Sequence, residues 1–146
     1  MGNSQQFSWP IRVYYEDTDS GGVVYHSNYL NFMERARTEW LRHLGFEQTF
    51  LKDTLNVIFV VHSMQIAFKK SAKFNDMLTI TSESHKVGRS SLQFLQKISV
   101  NQPVLGQRNV LVEAVVKLAC VNALTFKPIG IPQQIKSAIK LTMEQT

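Results

Sequence analysis

One segment constrains this chain more than any other. Residues 28–44 carry Tyr29, Met33, Ala36, Trp40 and Leu44 at the spacing of a single helical face. Ser27 precedes them as a plausible N-cap, Arg42 and His43 fall in the last turn, and Gly45 supplies a left-handed stop. Leu30, Phe32 and Leu41 lie off that stripe. A helix this apolar, roughly 25 Å long at ~1.5 Å per residue, needs burial on more than one side.

What surrounds the helix reads mainly as strand. Residues 7–15 alternate around Ile11, Val13 and Tyr15, with Pro10 marking an edge or a strand start. Residues 16–22 form a polar turn ending in Ser20-Gly21-Gly22, and 47–55 a short second helix. Strands follow at 57–68, 77–87, 90–100 and 110–121, rich in β-branched and aromatic residues and joined in part by a Val87-Gly88-Arg89 turn. Pro128, Gly130 and Pro132 end the last strand, and 135–143 suits a terminal helix. One long helix followed by a strand meander is an α+β pattern in one domain, 1–146, with no βαβ alternation. A single helix cannot cover both faces and both edges of such a sheet, so a symmetric oligomer is expected.

Composition excludes several classes. Of 146 residues 44% are hydrophobic and 18% charged, which fits a globular chain rather than a disordered one. No apolar run is long enough for a transmembrane segment. The opening Met1-Gly2-Asn3-Ser4-Gln5-Gln6 lacks the basic and apolar regions of a secretory leader, and Gln6 does not fit a myristoylation signal. With Cys120 as the one cysteine, no internal disulfide can form, so a cytoplasmic location is expected. The net charge of +5 suits an anionic ligand, yet the basic residues are scattered except at Lys69-Lys70-Lys73 and equally fit a solvated surface. Aromatic and basic residues do not interleave as in a nucleic-acid platform. His26, His43, His62 and His85 show no metal-ligand spacing, and no cofactor is expected. Cys120 reads as a core residue rather than a nucleophile.

The chemistry concentrates in residues 14–29, where Glu16, Asp17 and Asp19 stand between a strand end and a helix start. The first amides of a helix have no internal partner, and the helix dipole there favours negative charge. A carbonyl oxygen that gains charge during acyl transfer can be stabilised by such amides. A carboxylate beside it can attack the acyl carbon or activate water. Gly21 and Gly22 would allow backbone to approach a ligand. Taken alone, this supports an anion or carbonyl site beside a carboxylate, and more readily a solvated loop with acidic turn-formers.

The string Asp17-Thr18-Asp19, then Gly22-Val23, then Tyr25-His26 and Tyr29, resembles the active-site signature of the hotdog-fold 4-hydroxybenzoyl-CoA thioesterase family. Within that family it is similar to the Tol-Pal-associated acyl-CoA thioesterases of Gram-negative bacteria. The match runs on through Glu34-Arg35-Ala36-Arg37-Thr38-Glu39 and the later strand order. The resemblance implies a long central helix wrapped by a curved antiparallel sheet of about five strands, assembled as a homodimer or homotetramer. It implies hydrolysis of acyl-CoA, short aliphatic esters above all, with Asp19 as the catalytic carboxylate, base or nucleophile, and the backbone amide of His26 polarising the thioester carbonyl. Where some relatives carry Tyr, this chain has His26, so its side chain has no assigned role. Tyr25, Arg89 and Lys127 are candidates for holding substrate, the last two toward CoA.

Three other readings use the same residues. A haloacid-dehalogenase-like phosphotransferase would need a doubly wound parallel sheet, which the strand meander opposes. A hotdog dehydratase would pair His26 with a helix acid, Glu34 or Glu39. A non-catalytic scaffold could bind acidic acyl carrier protein, or membrane-associated enzymes, through the basic surface.

Overall fold

The computed structural model describes residues 6–102 and 107–143. Residues 1–5, which the sequence reads as carrying neither leader nor acylation signal, lie outside the described residues. Five strands and three helices follow in chain order: β1 (Phe7–Arg12), α1 (His26–His43), α2 (Gln48–Leu55), β2 (Val57–Phe68), β3 (Met77–Val87), β4 (Ser91–Gln102), β5 (Gln107–Asn122) and α3 (Gln133–Met143). All strand pairs are antiparallel, in the order β1-β3-β4-β5-β2. This is the hotdog arrangement, with α1 against the sheet.

The helix stripe behaves as its spacing demands. Tyr29, Met33, Ala36 and Trp40 are buried, and so are Phe32 and Leu41 beside them; Leu30 is exposed. Trp40 meets Phe94 of β4 edge to face, with ring centroids 4.6 Å apart. At the far end Gly45 adopts φ +102°, its amide bonds to Arg42 O, and the Phe46 amide reaches back to Leu41 O. That double closure satisfies carbonyls the helix leaves open. The start differs from the sequence expectation: the N-cap is Tyr25, not Ser27, and no side chain caps it.

A bulge in β2 changes which residues face α1. Phe59 and Val61 pair with Cys120 and Leu118, the register shifts between Val61 and Ser63, and Met64 then pairs with Val116. Strict alternation therefore fails across His62, because one extra residue turns the strand over. The opposite face of β3, β4 and β5 is largely polar, with Thr79, Thr81, Lys97, Ser99 and Glu113. α3 buries Ile135 and Ile139 and packs on β3. Cys120 is fully buried, and burial pushes its thiol up to about 11, as expected of a core residue. Among the described residues no helix is long and apolar enough to cross a membrane.

Candidate active site

The two acids of Asp17-Thr18-Asp19 do different work. β1 ends at Arg12, and a single 3-10 turn over Tyr15–Asp17 carries the chain round. Asp17 is 6% exposed. Its Oδ2 accepts from the Tyr14 amide at 2.9 Å, and its Oδ1 from Asn28 Nδ2 at 2.6 Å. Its carbonyl accepts the Tyr25 amide at 3.2 Å. Asp17 thus ties the strand end to the helix start, and its carboxylate is committed.

Asp19 opens a tight hairpin loop closed by its own amide to Val23 O at 2.9 Å and by the Gly22 amide to Asp19 O at 3.0 Å. One carboxylate oxygen, Oδ1, accepts from the Gly21 amide at 2.8 Å and lies 3.4 Å from the Val23 amide. Oδ2 has no hydrogen-bond donor among the described residues. The glycines serve this loop itself: Gly22 sits at φ +83°, and a Cβ on Gly21 would stand 3.3 Å from Asp19 Oδ1.

The loop is fastened to the segment after β2. Val23 bridges Lys73, the Val24 amide bonds to Ala72 O, and the buried Tyr29 hydroxyl accepts the Ala72 amide at 2.8 Å. Burial pushes the Tyr29 phenol above its ordinary value, with the Ala72 bond opposing. At the start of α1 the Asn28 amide bonds to Tyr25 O, whereas the amides of His26 and Ser27 have no acceptor among the described residues. No acidic residue lies in the first turn of α1. The imidazole of His26 stacks on Phe68, centroids 4.3 Å apart and planes 16° apart. No hydrogen bond joins that ring to Asp19. Tyr25 is half exposed beside it.

Arg89 and Lys127 stand elsewhere. Arg89 follows β3 and Lys127 follows β5, at the sheet end where Val57 pairs with Asn122 and Ser91 with Ala119. Asp19 and His26 adjoin the Phe68 end of β2, so the length of that strand, roughly 35 Å, separates the two groups within a protomer. Lys73, by contrast, flanks the Asp19 loop through its bridge to Val23; the sequence marked the Lys69-Lys70-Lys73 cluster but gave it no site. Lys69 of the same cluster is paired with Glu113 at 2.7 Å. Among the described residues no group of His, Cys, Asp and Glu could hold a metal ion.

A second structured polar group lies under α1. Arg37 is 8% exposed, and its Nη1 donates to Gln96 Oε1 at 2.9 Å. Gln96 is fully buried and donates to Met33 O at 3.1 Å and Ser82 Oγ at 2.9 Å. Burial pushes the guanidinium below its ordinary value, opposed by the Glu34 carboxylate. The helical stripe gave no sign of this, because an arginine on an apolar face looks solvated until the sheet is placed over it.

The sequence profile of the thioesterase superfamily matches residues 21–107. The acyl-CoA thioesterase YbgC of Haemophilus influenzae is 43% identical over 132 residues, covering 90% of this chain and 93% of that protein. The acyl-CoA thioester hydrolase YbgC of Escherichia coli is 44% identical, covering 94% and 98%. The crystal structure of a probable thioesterase from Bartonella henselae superposes with a TM-score of 0.79 at 35% identity, covering 88% of this chain and all of that one.

Proposed function

Because this chain belongs to the thioesterase superfamily and is an acyl-CoA thioester hydrolase, we propose that Asp19 is its catalytic carboxylate, acting on short aliphatic acyl-CoA. The observation that carries the reading is that two groups of this segment are unspent among the described residues: Oδ2 of Asp19 and the amide of His26 at the positive end of α1. The thioester carbonyl oxygen accepts from that amide, which holds the negative charge as the carbon becomes tetrahedral. Asp19 either takes a proton from the attacking water or attacks the carbon itself. The carbon–sulfur bond then breaks, and CoA leaves as a thiolate that takes up a proton; where Asp19 itself attacked, water next opens the acyl–Asp19 anhydride, releasing the acid and restoring the carboxylate. The His26 ring, held against Phe68, walls the site and leaves its own amide uncovered.

The site is completed by a second copy. β2 is a twelve-residue edge strand with Val61 and Phe68 exposed, while the helix-free sheet face is polar. An unpaired apolar edge favours pairing with another edge. Antiparallel pairing of two β2 strands about a two-fold axis near His62 sets the Phe68 end of one beside the Val57 end of the other. Arg89 and Lys127 of one subunit then stand at the end where Asp19 of the other lies, and they meet the CoA phosphates there. Steady-state hydrolysis of butyryl-CoA by wild type and Asp19→Asn tests the central assignment. The variant should lose at least ~100-fold in kcat with KM nearly unchanged. A folded Asp19→Asn protein with near-normal kcat would sink it.

A further inference from the structure

The tip of the turn that follows β5 takes no part in the chemistry derived above. Among the described residues three other than glycine take a positive φ: Asn56 at 56°, Asn75 at 72° and Phe126 at 60°. Asparagine visits this left-handed region readily, because its short polar side chain bonds locally. Phenylalanine does not, since its Cβ crowds the following carbonyl and its ring offers no local bond in return. Nor does burial offset the strain. Phe126 is 64% exposed, its neighbour Leu124 77%, and neither packs on the core.

Hydrogen bonds hold the turn in this shape. Asn122 Oδ1 accepts the amides of Leu124 at 2.8 Å and Thr125 at 3.0 Å, and Asn122 O accepts that of Phe126 at 2.8 Å. The Asn122 amide donates back to Lys127 O at 2.9 Å, and the Ala123 amide ties the turn to Asn56 O at 2.8 Å. An exposed residue held by its surroundings in a sparsely populated conformation points to a ligand. The flanks of the turn say which kind. Lys127 is the next residue, and Arg89 O accepts the Ile131 amide at 2.8 Å, so the chain leaving Phe126 runs along Arg89. Both cations are exposed, and neither forms an ion pair among the described residues. A wholly apolar partner seated here would cover two unpaired charges, at a cost in desolvation. A planar base that carries phosphates meets both features, stacking on the ring while the cations bond the phosphate oxygens.

We propose that Phe126 is the platform on which the adenine ring of CoA stacks, and that this turn makes the enzyme prefer CoA thioesters to the same esters of bare pantetheine. The strain then has a use. A backbone fixed before the ligand arrives leaves less freedom to be lost on binding. The inference rests on the acyl-CoA hydrolase reading and on its placing of Arg89 and Lys127 at the CoA phosphates. It adds recognition of the base, which neither phosphate contact supplies.

Direct binding of adenosine 3′,5′-bisphosphate, the nucleotide end of CoA, tests the platform without turnover. Wild type should bind it, and Phe126→Asn should weaken that binding about tenfold or more, the usual weight of one stacked base. Asparagine suits this backbone as Asn56 and Asn75 do, so the variant should fold and melt no lower than wild type. Phe126→Trp, with a wider face, should bind at least as tightly as wild type. Kinetics give a second readout. The preference of wild type in kcat/KM for butyryl-CoA over S-butyrylpantetheine should shrink about tenfold in Phe126→Asn, through KM rather than kcat. Unchanged affinity for the bisphosphate in a folded Phe126→Asn protein overturns the proposal, and so does an unchanged preference. Wild type that hydrolyses butyryl-CoA without binding the bisphosphate overturns the platform alone. Failure of the hydrolase reading would instead show as no hydrolysis of either ester, so the two can fail separately.

Discussion

At the scale of single residues, Asp17 and Asp19 are two apart in sequence and differ in what holds their carboxylates. Asp17→Asn replaces one acceptor of a buried carboxylate that holds Tyr14 and Asn28, and should cost about 1–3 kcal/mol of stability. Asp19 sits in a surface hairpin, so Asp19→Asn should leave the melting temperature nearly unchanged while kcat collapses. Paired melting curves and butyryl-CoA kinetics check this double dissociation. Single turnover of wild type in oxygen-18 water then addresses the role of Asp19: label in its side chain marks a covalent anhydride opened at the enzyme carboxyl. Cys120 makes a second prediction. Its thiol ionises near 9 when unfolded and at about 11 when folded, so only the unfolded chain gains from losing the proton in between. The contribution of this group to stability should be constant below pH 9 and fall between pH 9 and 11, by up to about 2–3 kcal/mol. Denaturant titrations of wild type and Cys120→Val should show a shallower fall in the variant; parallel curves would contradict it.

At the scale of elements, α1 is fixed at one end by backbone geometry and at the other by tertiary contact. Gly45 alone provides the left-handed turn at its C-terminus, so Gly45→Ala should destabilise by about 1 kcal/mol, read from denaturant midpoints at constant slope. The N-terminus has no side-chain cap of its own, and Asp17 holds it from outside through Asn28 and the Tyr25 amide. That leaves the first amides open for a ligand. Helix start and carboxylate loop are thus tied together: the Asp17 contacts that fasten the start lie two residues before Asp19.

At the scale of the whole molecule, one protomer holds Asp19 at one end of the sheet and Arg89 with Lys127 at the other. Light scattering at micromolar concentration should show a dimer or tetramer, and a stable monomer would dismantle the cross-subunit site. If exposed basic residues hold the CoA phosphates, KM for butyryl-CoA should rise with salt while kcat changes little, because such charges are screened. Salt-independent kinetics would assign the positive surface some other task.

The sequence by itself determined the elements. Helix α1, the short α2, the five strands and the Gly45 stop follow from local periodicity and from residues with restricted backbones, and these signals need no partner to be legible. The resemblance carried by residues 14–29 and the later element order indicated the hotdog arrangement. The family motif singles out Asp19, and the structure adds that the Asp17 carboxylate is occupied by Tyr14 and Asn28. Other features depended wholly on tertiary structure. Tyr25 rather than Ser27 caps α1 because the loop enters from the Asp17 turn. The inward face of β2 changes at His62 because a bulge adds one residue. Arg37 is buried because Gln96 and Ser82, far away in sequence, supply its seat on the sheet. Local sequence records what a residue prefers, whereas burial, and with it the cost of an unpaired charge, exists only once distant strands have been brought together.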